Sequence, residues 1–154
     1  MLRISLIAAL GFIPGNASSQ EVLPQAIKGY QAVCLKAAPD FSGYAKLAKQ
    51  NGFRKNDGSF YLKDAAARVD VFPTEQGCAC VTTLVAPNPN ATATAVLEAT
   101  VRSSAKVQDH PNKQIAAVLT WPNGTNALQL ESDTRGSVPL VRATLLSQTA
   151  CPRK

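Results

Sequence analysis

The sequence predicts an α+β domain. Three observations lead there: helical spacing of apolar residues up to about Asn51, a two-residue period with turn dipeptides over most of the chain beyond it, and four cysteines spread across both parts. The expected architecture is two N-terminal helices, then a mainly antiparallel sheet of about five strands with one further helix between its hairpins. Two disulfides are expected to staple it.

The chain has 154 residues, of which 45% are apolar and 17% charged. That suits one domain and argues against intrinsic disorder. Met1-Leu2-Arg3 carries a positive charge, Ile4 to Ile13 is apolar but for Ser5 and Gly11, and Pro14-Gly15 leads into the small residues Asn16-Ala17-Ser18-Ser19. This is the layout of a secretory signal peptide over residues 1–19, with cleavage after Ala17 or Ser19. The run is too short for a membrane span, which needs about 20 apolar residues in a helix. Residues 20–154 are then one globular domain, secreted or periplasmic. The sequons Asn90-Ala91-Thr92 and Asn123-Gly124-Thr125 matter only in a eukaryotic secretory path.

Leu23, Ile27, Tyr30 and Cys34, flanked by Ala26 and Val33, fall on one face of a first helix over 20–38. Asp40 is placed as the N-cap of a second, carrying Phe41, Tyr44, Leu47 and Ala48, with Asn51-Gly52 at its end. Lys55-Asn56-Asp57-Gly58 reads as a turn. Val69 and Val71 alternate with Asp70, Thr74 to Gly77 makes a hairpin connection, and Cys78 to Val85 is a β-branched strand. Ala86 to Asn90 reads as a loop, and Ala93, Leu97, Val101 and Ala105 as the face of a third helix. Ile115–Trp121 and Asn126–Leu130 flank Asn123-Gly124, a strong hairpin signal. A turn at Asp133 to Gly136 leads to a last strand, Leu140 to Leu146.

Cys34, Cys78, Cys80 and Cys151 are even in number, and an exported chain keeps such cysteines as disulfides. On a strand, Cys78 and Cys80 point to one face about 6.6–7 Å apart, at the edge of disulfide geometry. They therefore bridge to different partners, one to Cys34 and the other to Cys151. Two sharper readings compete: a redox-active Cys78-Ala79-Cys80 pair, and a four-thiolate zinc site, which the spacing and the compartment both disfavour. No metal or cofactor is expected.

A single histidine removes HExxH and every two-histidine metal site. His110 follows Asp109 in a polar loop, so a general base with its orienting carboxylate competes there with a solvated loop histidine. No G-x-S-x-G, S-x-x-K or Walker A stretch is present. Asp40, Asp64, Glu98 and Glu131 are carboxylates that distant pairing in the fold could join, but nothing in their context singles them out. The formal charge of +6 offers more. Lys46, Lys49, Arg54 and Lys55 cluster near Tyr44 and Phe53, a pattern suited to an anionic surface if it is not simply a solvated face. Trp121, at the mouth of the Asn-Gly hairpin, is either a core residue at the sheet edge or an exposed anchor. The leading expectation is a non-catalytic binding module for an envelope protein or an anionic surface component, with no nucleic acid as partner. The alternative is a small secreted enzyme using scattered carboxylates or the Cys78/Cys80 thiols.

Overall fold

The computed structural model describes residues 27–62, 67–112, 114–135 and 137–153. The signal-peptide expectation, residues 20–26 and Asp64 lie outside them.

The chain builds α1 (Tyr30–Leu35), α2 (Tyr44–Gln50), α3 (Pro89–Val101) and eight strands: β1 (Phe53–Asn56), β2 (Ser59–Leu62), β3 (Ala67–Thr74), β4 (Gly77–Val85), β5 (Lys106–Gln108), β6 (Ala117–Trp121), β7 (Gly124–Arg135) and β8 (Val138–Ser147). The strands form one sheet, ordered β1-β2-β3-β4-β8-β7-β6-β5, with every neighbouring pair antiparallel. Two four-stranded meanders thus meet at β4 and β8. The α3 helix carries the chain from the centre of the sheet to its far edge.

The fold is α+β, with eight strands where about five were expected. Three of the eight are short. The Asp57-Gly58 turn has positive φ at both residues, the geometry of a two-residue hairpin. It pairs two four-residue strands, β1 and β2, that carry almost no apolar alternation. At the far edge, β5 has three residues.

The helices also differ from expectation. Over 30–35 the first helix is π-helical, so its wider turns bring Tyr30, Val33, Cys34 and Leu35 into the core together. Asp40 is not a cap: its carboxylate accepts the Ser42 N–H at 2.8 Å, Phe41 turns left-handed and buried, and α2 begins only after Gly43. That bond holds the Asp40 carboxyl below its ordinary pKa. The α3 helix starts four residues before Ala93, at Pro89, because the Asn88 side chain accepts the Ala91 N–H as an N-cap. Its buried residues are Thr92, Val96, Ala99 and Thr100, while Val101 is exposed. Threonine is tolerated there because Thr92 and Thr100 donate to the carbonyls of Asn88 and Val96, and Thr100 also meets the Tyr30 hydroxyl at 2.9 Å. Burial pushes the Tyr30 hydroxyl far above its ordinary pKa, and the Thr100 bond offsets this in part.

All three helices sit on one face of the sheet. Tyr30 and Cys34 tie α1 to α3 and β4, and Tyr44 of α2 meets the Phe60 ring of β2 edge-on at 5.9 Å. Because strand side chains alternate in direction, this inner face holds Val69, Cys78, Cys80, Thr82, Leu84, Leu119, Leu128, Ala143 and Leu145, each fully buried. Trp121 lies half-buried against this core.

Candidate functional site

Two disulfides join sequence-distant parts at the sheet centre. Cys34 bonds Cys80 and Cys78 bonds Cys151, with Cα–Cα separations of 5.7 and 4.8 Å, both within ordinary bridge geometry. This gives the pairing left open by the sequence. Cys78 and Cys80 both point to the inner face of β4, one reaching the C-terminal segment and the other α1. Cys34, Cys78 and Cys80 are fully buried and Cys151 half-buried. With all four sulfurs in bridges, no thiolate is available for metal binding or for nucleophilic attack.

The other candidates are dispersed. Glu98 forms an exposed i,i+4 pair with Arg102 at 2.7 Å. Glu131 is exposed on the strand face opposite the helices. In the loop after β5, the exposed His110 accepts the Asn112 N–H on Nδ1 at 3.1 Å. The four basic residues divide. Lys46 and Lys49 are exposed on α2, while Arg54 and Lys55 project to opposite faces of β1, Lys55 sharing the side of Phe53 and Arg54 the far side.

That far side is the distinctive surface. None of the described helices packs on it, and two cross-strand rows run over it. In the first, the register places Arg54 beside Tyr61, then Arg68, Thr83, Arg142 and Glu131. Arg68 stacks over the Tyr61 ring, 5.4 Å from its centre. Its guanidinium also grips Asp70 through two bonds of 2.7 and 3.1 Å, which raises the Arg68 pKa further above its ordinary value. Arg142 reaches Asp133 at 3.5 Å. Among the described residues, Arg54 and Arg135 make no ion pair.

The second row alternates large and small: Phe72, Ala79, Leu146, Ala127, Val118. Two open depressions lie over it. One, of about 620 Å³, contains Ala127 between Val118 and Leu146, with Glu75 and His110 on its rim. The other, of about 480 Å³, contains Ala79 between Phe72 and Leu146, with Arg68, Arg135 and Arg142 around it. Leu146 and Thr74 belong to both. Each hollow is the space left where alanine stands between larger neighbours.

No protein-family model, curated protein or solved structure matches the chain.

The rows escaped sequence reasoning because their members come from several strands and become neighbours only through register. What the sequence did carry is period-two alternation in β4 and β8, whose second faces, Ala79-Val81-Thr83 and Arg142-Thr144-Leu146, are neither polar nor wholly apolar. On the same face, Tyr61, Phe72 and Val138 are three of the four exposed large apolar side chains among the described residues.

Proposed function

We propose that this chain is an exported, non-catalytic interaction module that grips a partner protein with the uncovered face of its sheet. One observation carries the reading: the segregation of arginine from lysine. Of the six described arginines, Arg54, Arg68, Arg135 and Arg142 project from this face, together with Tyr61 and Phe72, while Arg102 ends α3 and Arg153 lies in the C-terminal segment; Lys28, Lys36, Lys46, Lys49 and Lys55 stand on the helical side. Among the described residues the face has one lysine, Lys106, on its outermost strand. Protein interfaces favour arginine and aromatic side chains and disfavour lysine, whereas a face kept only for solubility has no need of that choice. The two disulfides support export, since such bridges persist in oxidising compartments. Strands β1 and β5 support a face-on partner: they are four and three residues long and carry Arg54, Lys55 and Lys106, which discourages pairing at the sheet edges.

The test is site-specific photo-crosslinking in the source cell, with benzoylphenylalanine in place of Phe72 or, separately, of Lys49. An adduct of one defined mass from position 72 and none from position 49 supports the reading. An adduct from position 49 alone would return the weight to the lysine side, and none from either position would overturn the proposal.

A further inference from the structure

We infer that the alternating row Phe72–Ala79–Leu146–Ala127–Val118 is a seat for an amphipathic α-helix of the partner, lying across the strands with an acidic flank toward Arg68 and Arg142. This rests on the proposed interaction face and specifies how it is used.

The spacing of the two hollows selects a helix. Ala79 on β4 and Ala127 on β7 are separated by β8 alone, so their floors are two strand spacings apart, about 10 Å. Two turns of an α-helix bring residues i and i+7 to the same face about 10.5 Å apart. An extended segment offers same-face side chains about 6.8 Å or 13.6 Å apart and matches neither hollow pair. A helix laid along the row puts side chains i and i+7 into the hollows over Ala79 and Ala127, and the intervening i+3 or i+4 position must be small to pass over Leu146. Helix-in-groove recognition uses this anchor pattern. The hollows are open rather than enclosed, so a bare acyl chain would stay partly in water, while a helix presents its own polar back to solvent.

Charge sets the orientation. Arg68 and Arg142 stand four residues along their strands from Phe72 and Leu146, about 13 Å to one side of the row. Glu75 stands beyond Thr74 on the opposite side, and among the described residues no lysine or arginine lines the hollow it borders. The hollow over Ala79 is lined by three arginines against the two carboxylates of Asp70 and Glu131, a surplus of one cation, and the other hollow by Glu75, so among the described residues the seat has a cationic flank and an anionic one. The complementary helix is acidic toward the arginines and basic or neutral toward Glu75.

The experiment uses the oxidised chain and synthetic, end-blocked, fluorescein-labelled peptides of about 18 residues, long enough for a two-turn anchor with a further turn or more at each end. The first has leucines seven apart, alanine between them and glutamates along one flank. The second replaces those glutamates by lysine, and the third places proline at the centre. Fluorescence anisotropy is expected to show the first binding at least about ten-fold more tightly than either control. Ala127→Leu fills one hollow at a half-buried site that opens outward. It is expected to weaken binding about ten-fold or more, as is Phe72→Ala, while Lys49→Glu leaves the affinity unchanged; thermal unfolding of each variant confirms that it is folded. Equal binding of the proline peptide, an unchanged affinity on Ala127→Leu, or no binding of any peptide overturns the helix seat. Binding of phosphatidylglycerol vesicles that is lost on Phe72→Ala, without peptide binding, overturns it in favour of a lipid surface. If the peptides fail while crosslinking from position 72 succeeds, the interaction face survives without the helix. Failure of both removes the face as well.

Discussion

The bridge Cys34–Cys80 closes 46 residues and Cys78–Cys151 closes 73. The two loops overlap only over 78–80, so their contributions to unfolded-chain entropy are close to independent. The chain-entropy relation gives about 4.0 kcal/mol for the shorter and about 4.4 kcal/mol for the longer at 25 °C. By entropy alone, losing Cys78–Cys151 costs slightly more. The packing reverses that order. Cys34 and Cys80 are both fully buried, and trimming each to alanine removes a well-packed sulfur at about 1 kcal/mol apiece. Cys34 Sγ also lies 3.4 Å from the hydroxyl of Thr82, a buried group whose loss of a partner costs about 1 kcal/mol more. The Cys34→Ala/Cys80→Ala chain is therefore expected to lose about 7 kcal/mol. Cys78→Ala/Cys151→Ala should lose between about 5 and about 6 kcal/mol, because Cys151 is only half-buried. Against a total stability of about 5–15 kcal/mol for a domain of this kind, either change is close to unfolding it. Equilibrium urea unfolding followed by far-UV circular dichroism and by Trp121 fluorescence measures both, with a stabilising osmolyte added where needed. The reasoning is refuted if the Cys78/Cys151 variant is the less stable of the two, or if either loss is below about 1.5 kcal/mol.

Three shorter predictions accompany it. Burial raises the Tyr30 pKa in the folded chain above its unfolded value, so its contribution is complete below about pH 10 and is lost as pH rises toward the folded value, with a limiting slope of about 1.4 kcal/mol per pH unit. Tyr30→Phe should cost about 1 kcal/mol at neutral pH and flatten the alkaline decline, read as Tm against pH for both proteins. Gly77 has φ of +148°, and a Cβ there would run into the backbone of Ser147 and Gln148. Gly77→Ala is expected to cost about 2–4 kcal/mol in urea unfolding, and a change under about 1 kcal/mol would contradict the backbone placement. The Glu98–Arg102 pair is exposed on both sides, so Glu98→Gln should move stability by less than about 0.5 kcal/mol; a larger loss would mean that Glu98 has a role beyond its surface pair.

The legible parts of the fold were those with strong local signals. The strand beginning at Cys78 was marked by β-branched residues, the hairpin near Asn123-Gly124 by that dipeptide, although its turn residues are Pro122 and Asn123 and Gly124 already pairs with Trp121, and the bridges by the geometry of Cys78 and Cys80. What escaped had weak local signals or depended on distant partners. The Asp57-Gly58 hairpin was readable as a turn but not as two strands, because Phe53-Arg54-Lys55-Asn56 lacks alternation. The α3 face was misplaced because its spacing suggested Ala93, Leu97 and Val101. Burial of Thr100 depends on a bond to Tyr30, 70 residues away. The four basic residues looked like one cluster along the chain, but a strand sends Arg54 and Lys55 to opposite faces. Only the register then joins Arg54 to Arg68 and Arg142.

That separation bears on why one sheet face carries none of the described helices. A soluble sheet with one bare face is most simply kept monomeric by lysine, glutamate and threonine, which hold water and resist burial. Here the outer face has threonines, Glu131 and Lys106, but four of its five described cations are arginines, two of them already bound to carboxylates on the same face, Arg68 to Asp70 and Arg142 to Asp133. Such pairs lower the desolvation cost of covering the surface, because each guanidinium has a partner before a second protein arrives. Between them the alanines at 79 and 127 leave space where a leucine or valine would have closed the row. Paired arginines, exposed Tyr61 and Phe72, and hollows floored by alanine together make a surface that can be covered at low cost and that fills well when it is. The short, charged edge strands leave that face, rather than a strand edge, as the place where the proposed partner would dock.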